Sequence, residues 1–407
     1  MGQRPRSLQP ELSALHLFGA RLRLLREQQG LSQQTLGRLV HCSGDLIGKI
    51  EKAERRPHHD LARCCDNVLG ADGSLVALLP GDGSPRSIDN QVVVSSIPAI
   101  RLALDTRDLP DEGSVRPLRV LRAEVERLVR WRLDSRYGDL ATRLPRTLSE
   151  LHRARQLPDT SESTAALLAQ AYRAADAIAD KFGLYDLSAR IIDLMREAAA
   201  DTGDELAVAA SSYVRAETFF ATSAWEAGRR MLEHRASALP AGSSAARLAA
   251  YGSLHMRATI LAARAGDRAA ARAHLDEATD AAGRVPEGIY RGTAFGPASV
   301  RIHRLSLAVD LADVGAALDA GRDWHPPVEV PAERRSHFYV DLARAHVLAG
   351  QAEPALNCLD LARRIAPEHI RHHPDVKAAV ALMLAKLPHP STQLVEFARW
   401  TGCGHDR

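Results

Sequence analysis

Hydrophobic and polar positions follow a helical period along nearly the whole chain. Residues 17–29 place Phe18, Leu22 and Leu25 on one face. Gly30 suits the end of that helix, and Ser32 stands as an N-cap before QQTLGRLV. Ser43 can cap GDLIGKIEKAE. Asp60 can cap DLARCCDNVLG, where Leu61, Cys65 and Val68 share a face before Gly70, and GSLVALL makes a fifth short helix. Residues 1–80 thus read as a small, complete domain. Residues 80–96, PGDGSPRSIDNQVVVSS, carry Gly, Pro and Ser, and QVVV lacks a strand partner, so 81–114 reads as a linker and covering loop. LRVLRAEVERLVRWRLDSRYGDL, from Leu118, reads as one amphipathic helix with a solvated charged face.

From residue 115 to 407 the pattern is one of helical pairs. A template recurs: a helix end, a turn at a small residue, and another small residue five positions on. The turns fall at Gly183, Ser223, Gly266, Ala312 and Gly350, separated by 40, 43, 46 and 38 residues. Repeats of that length predict a stacked helical solenoid, so the fold class is all-α.

Composition sharpens this in three ways. Aromatics are only 4%, so the core must be built from Leu, Ala, Val and Ile. Residues 1–80 hold 11 Lys/Arg against 8 Asp/Glu, whereas the remainder holds 42 of each; the small basic excess suits a polyanion partner at the N-terminal end. Five cysteines in no disulfide or zinc spacing, with neither a secretory stretch nor an apolar span of about 20 residues, predict a reduced, cytoplasmic protein with no membrane partner. His58, His59 and Asp60 lie near Cys64 and Cys65, but adjacent cysteines diverge by about 100° on a helix, so no metal site is read there. RHHP at 371–374 reads as a helix end with a proline stop rather than as a ligand pair, and a pH-sensing role for His372 and His373 is set below that reading. With no phosphate-binding glycine loop, no G-x-S-x-G and no H-E-x-x-H, the expectation is a non-enzyme without metal or cofactor.

The stretch LRLLREQQGLSQQTL (Leu22 to Leu36), with IGKIE, RRP and LGADGSL after it, resembles the Xre or phage-repressor type of helix-turn-helix over residues 17–79. The resemblance implies that Gln33 bonds a phosphate and that Ser43, Gly44, Asp45 and Lys49 face double-stranded DNA. It also implies phosphate contacts from Lys52, Arg55 and Arg56, and a structural salt bridge between Arg26 and Glu51. Three features depart from the pattern. His41 stands where the tight turn usually has Gly, and Gly37 where Ala is usual. At the reading positions Gly44 has no side chain and Asp45 can only accept, as from cytosine N4.

HFYVDLARAHVLAGQAEPALNCLDLARRIAP (His337 to Pro367) is similar to a tetratricopeptide repeat. Tyr339, Leu342, Gly350, Ala355, Leu359, Ala362 and Pro367 carry the match. With FGPASVRIHRLSLAVDLAD and RRIAPEHIRHHPDVK, the whole resembles actinobacterial Xre-type regulators with a tetratricopeptide-like tail. Placing each repeat on the template lines a concave groove with Arg173, Asp180, Tyr213, Glu217, Met256, Arg264, Ile302, His337 and Arg344. The resemblance implies a regulator whose groove senses a peptide, a small molecule or a protein partner, and a homodimer is expected because one such DNA-binding domain reads few base pairs. A scaffold with a weak helix-turn-helix stays open beside it.

Overall fold

Helices form at the apolar periodicities throughout the computed structural model, which describes residues 14–40, 42–55, 57, 59–71, 75, 88–157, 161–240 and 242–403. The chain divides into two units, residues 1–86 and 87–407. The first contains α1 (Ala14–Gln28), α2 (Gln33–Leu39), α3 (Gly44–Glu51) and α4 (His59–Leu69). Ser32 and Ser43 cap α2 and α3, accepting from the Thr35 and Leu46 amides. Gly30 and Gly70 end α1 and α4 at φ +65° and +61°, where glycine avoids the Cβ clash. Phe18, Leu22, Leu36, Ile47, Ile50, Cys65 and Leu75 close its core. Burial pushes the Cys65 thiol up to about 12, which leaves it an inert core residue. His41, Arg56, His58 and most of the expected fifth helix lie outside the described residues.

The second unit opens with α5 (Ile88–Asp105), where a covering loop was expected. Val93, Ile100, Ala103 and Leu104 are buried at helical spacing, and α5 packs along α7, so tertiary burial overrides the weak helix preference of the valine run. Residues 81–87 are outside the described ones. The expected single helix from Leu118 is broken at Ser135, φ +57°, into α6 (Leu118–Leu133) and α7 (Tyr137–Arg155).

The pairs that follow are α8 (Ser161–Lys181) with α9 (Tyr185–Ala200), α10 (Glu205–Thr222) with α11 (Trp225–Ser237), and α12 (Ala245–Arg264) with α13 (Arg268–Ala282). Then come α14 (Pro297–Asp310) with α15 (Val314–Gly321), α16 (Ala332–Leu348) with α17 (Ala352–Ile365), and finally α18 (Pro367–His372), α19 (Pro374–Lys386) and α20 (Thr392–Thr401). Gly183, Ser223, Gly266, Ala312 and Gly350 all sit between paired helices at φ from +55° to +82°. The first helices α6, α8, α10, α12, α14, α16 and then α19 pack in succession and form one wall. No described helix is long and apolar enough to cross a membrane.

One feature escaped the sequence pattern. Between α13 and α14 a hairpin pairs β1 (Gly288–Tyr290) with β2 (Thr293–Phe295). Its tip, Arg291 and Gly292, has φ +48° and +77°, as a two-residue type I′ turn requires. Phe295 anchors it over Gly252, where a Cβ would lie 2.0 Å from the ring.

The second unit carries a built-in acid sensitivity. His152 on α7 is buried against the Tyr172 hydroxyl, Nε2 to Oη 2.8 Å. Burial, aided by Arg107, brings its pKa from 6.5 down to about 4. A depressed imidazole stabilises the fold fully above pH 6.5, and the contribution is lost as pH falls toward 4. Unfolding free energy from denaturant titrations is therefore expected to be flat above pH 7 and to drop below 6.5. His152→Gln should flatten the slope by about one proton, worth about 3 kcal/mol at full titration. An unchanged slope in the variant would show that His152 is not a source of the loss.

Candidate nucleic-acid interface and solenoid groove

The helix-turn-helix is fastened by one buried ion pair. Arg26 on α1 reaches Glu51 at the end of α3 through Nε to Oε1 at 2.5 Å and Nη2 to Oε2 at 3.1 Å. Its third nitrogen donates to the Leu31 carbonyl at 2.7 Å. Gln33 Nε2 also donates to Glu51 Oε2, at 2.7 Å, so the side chain expected at a phosphate turns inward and ties α2 to α3.

Two glycines set the closeness of the turn. A Cβ on Gly37 would lie 2.8 Å from the Cys42 carbonyl oxygen, and one on Gly44 would lie 2.9 Å from the Gln34 Cα. Gly44 therefore faces α2 rather than offering an empty reading position, and its missing side chain answers to packing. Ser43 uses its hydroxyl as a cap, accepting from the Leu46 amide at 3.2 Å. The outward face is carried by Asp45 and Lys49, which form an exposed pair at 2.7 Å, with Lys52 and Arg55 beyond them. Gln34, which the sequence reading passed over, is exposed at the start of α2 beside Gly44.

In the solenoid, seven of the nine expected groove residues join a polar network made of three clusters. Arg257 Nη2 donates to Glu217 Oε1 at 2.7 Å and lies 4.6 Å from the Tyr213 ring centre. Arg173 sits 5.8 Å from the same ring, and Arg334 donates to the Tyr213 hydroxyl at 3.2 Å. Burial raises the Tyr213 phenol, but Arg334, Arg257 and Arg173 outweigh it and bring it to about 8. Lys181 bridges Asp180 at 3.2 Å and Glu333 at 3.4 Å. Asp310 receives Arg264 and Arg344, each at 3.3 Å, and Arg344 reaches Asp341 at 2.8 Å. His337 Nε2 lies 3.5 Å from Asp341 Oδ2.

Met256 and Ile302 are corrections. Both are fully buried in the apolar core; the adjacent residues Arg257 and His303 enter the polar network instead. One residue of helix is about 100° of rotation, so a one-residue error in repeat register exchanges groove for core.

The network spans distant repeats. Lys181–Glu333 joins α8 to α16, Arg334–Tyr213 joins α16 to α10, and the Gly138 amide of α7 donates to Glu368 of α18 at 3.0 Å. The hairpin tip enters the same groove: Arg132 donates to the Gly292 carbonyl at 2.6 Å, and Arg173 to the Arg291 carbonyl at 3.0 Å and the Thr293 hydroxyl at 2.9 Å. Among the described residues, neither Arg132 nor Arg173 has a carboxylate at ion-pair distance. Burial, with Arg132 beside it, lowers Arg173 to about 9. Beside the hairpin a cleft of about 340 Å³ is lined by Arg122, Gln170, Asp204 and Arg291 among others.

Removing one partner of a buried pair strands the other charge. Glu51→Ala is expected to destabilise the N-terminal unit by about 3–5 kcal/mol and to accelerate amide exchange across α2 and α3. Wild-type exchange rates in the variant would show that the pair does not hold the domain.

Residues 17–79 match the family model described as a helix-turn-helix domain. No curated protein matches the chain. Among solved structures, Bacillus thuringiensis PlcR, determined in complex with the peptide PapR7 and DNA, is similar at 14% identity and a TM-score of 0.32, over 65% of this chain and 93% of that one.

Proposed function

We propose that the chain is a homodimeric, DNA-binding transcription regulator of the Xre type whose solenoid groove takes an acidic effector, a peptide or small molecule bearing a carboxylate. The observation that carries the DNA half is the exposed face of α3, with Asp45, Lys49, Lys52 and Arg55 clear of the core beneath. On docking, Lys49 exchanges Asp45 for a phosphate. That exchange gives up little, because an exposed i,i+4 pair is worth only about 0.3–0.5 kcal/mol. Asp45 is then free to accept from cytosine N4. Two copies are proposed because one such domain spans few base pairs and paired half-sites gain affinity together.

Arg132 and Arg173 support the acidic effector. They are cations recessed from water with only neutral oxygens as partners, and a carboxylate answers both with charge-assisted bonds. Its binding would compete with the hairpin tip and change the solenoid's curvature. A scaffold with weak DNA contact is the second reading, favoured by the Asp45–Lys49 pair, which offsets positive charge on the reading face.

Genomic fragments captured by the purified protein, titrated by fluorescence anisotropy at several salt concentrations, are expected to include a few paired sites bound far above the rest. Lys49→Ala should weaken them about tenfold and reduce the salt slope by about 1. Equal, salt-sensitive binding of every fragment by both proteins would leave only backbone electrostatics and favour the scaffold.

The effector is sought by thermal shift with carboxylate-bearing peptides and metabolites. A ligand that raises the melting temperature of the wild type is expected to fail with Arg173→Ala. If it shifts both proteins alike, the groove is not its site.

A further inference from the structure

We propose that His337, His369 and His373 form a site for a borderline divalent cation, zinc or a close relative, at the C-terminal end of the groove. One ring nitrogen from each lies within 4.8 Å of the others. Three imidazoles at about 2.0–2.1 Å from a tetrahedral ion stand about 3.3 Å apart. His337 Nδ1 and His373 Nε2 are already 3.3 Å apart. Only His369 has to move inward, by at most about 1.5 Å to reach the same tetrahedral spacing.

The surrounding bonds orient two of the three rings for ligation. Ser336 Oγ donates to the Glu333 carbonyl at 2.8 Å, so at 2.8 Å from His369 Nδ1 it can only accept. The His369 proton is thereby held on Nδ1, and the Nε2 lone pair is free. Asp341 Oδ2 lies 3.5 Å from His337 Nε2 and favours the proton there, leaving Nδ1 to ligate. Asp341 is itself fixed by Ser306 at 2.5 Å and Arg344 at 2.8 Å, a carboxylate–histidine arrangement that raises ligand basicity. Three neutral nitrogens with His337 half-open to the groove leave a fourth position for water or an effector oxygen.

Two features oppose the ion. Lys181 repels it, though that ammonium is already paired with Asp180 and Glu333. His373 Nδ1 accepts the Asp375 amide at 3.2 Å, and ligation through Nε2 puts a proton on Nδ1 and gives up this cap of α19. In the sequence His372 and His373 read as a helix end rather than a ligand pair, because the third histidine, His337, lies on α16, a full helical hairpin before α18.

The test is a zinc titration of tag-free, full-length protein against a chromophoric chelator, with cobalt(II) absorption as a second readout. One equivalent is expected to bind. His369→Ala should lose at least a hundredfold in affinity, and Asp341→Asn about 10–100-fold. His255→Ala, which alters a different histidine pair (His255 with His274), should bind as wild type. Should His369→Ala lose helix content, the half-exposed His337→Ala takes its place. Absence of a bound equivalent, or an equivalent retained by both triad variants, would overturn the site.

Discussion

Each helix pair depends on reversing the chain within two or three residues after a long first helix, and that reversal needs a left-handed backbone. Ser135, Gly183, Ser223, Gly266, Ala312 and Gly350 all provide it, at φ between +55° and +82°. Three of the six carry a Cβ, at a cost of about 1–2 kcal/mol each. The fold tolerates this because each reversal brings two apolar faces together, as Ala355, Leu359 and Ala362 of α17 show against Phe338 and Leu342 of α16. The reversals also fix which helix of each pair faces the groove. The placement of Arg173, Tyr213, Arg257 and Arg334 follows from them.

Signals contained within a few residues were legible in the sequence. The caps at Ser32 and Ser43 and the small turn residues of the repeats are of this kind. Ser135 was not, because Asp134 and Ser135 suit the polar face of a continuing helix as well as a turn, and the break is set by how α6 and α7 pack. Gly44 looked like an empty reading position because its neighbour Gln34 lies on another helix. Met256 and Ile302 show the same limit in the solenoid: in an alanine-rich helix several faces are apolar enough to be core, and register is settled only by contacts from adjoining repeats. The hairpin at 288–295 is too short to give a pattern, and its buried side chain, Phe295, is accommodated by a glycine some forty residues earlier.

The groove's charges are arranged differently from those on a solvated surface. Lys181 is half-buried, yet Asp180 and Glu333 outweigh its desolvation and hold it well above its ordinary pKa. Asp176, buried with Glu217 and Asp180 nearby, is driven strongly toward its protonated form and bonds the Ser188 hydroxyl at 2.6 Å. Networks of this sort contribute little net stability against an apolar filling, but they make every wrong pairing expensive. They favour one arrangement of the helices and one set of charges for an incoming ligand to match.

Contacts between non-neighbouring repeats bear on how such a protein can change over time. An open repeat array can gain or lose a helix pair, since each unit touches only the next. Here Glu333 must arrive opposite Lys181, Arg334 opposite Tyr213, and Glu368 opposite Gly138. Duplicating or deleting one pair between α9 and α16 would carry all three partners out of reach at once. The number of repeats is thereby locked, and variation is left to substitutions within the groove and to loops on its outer face.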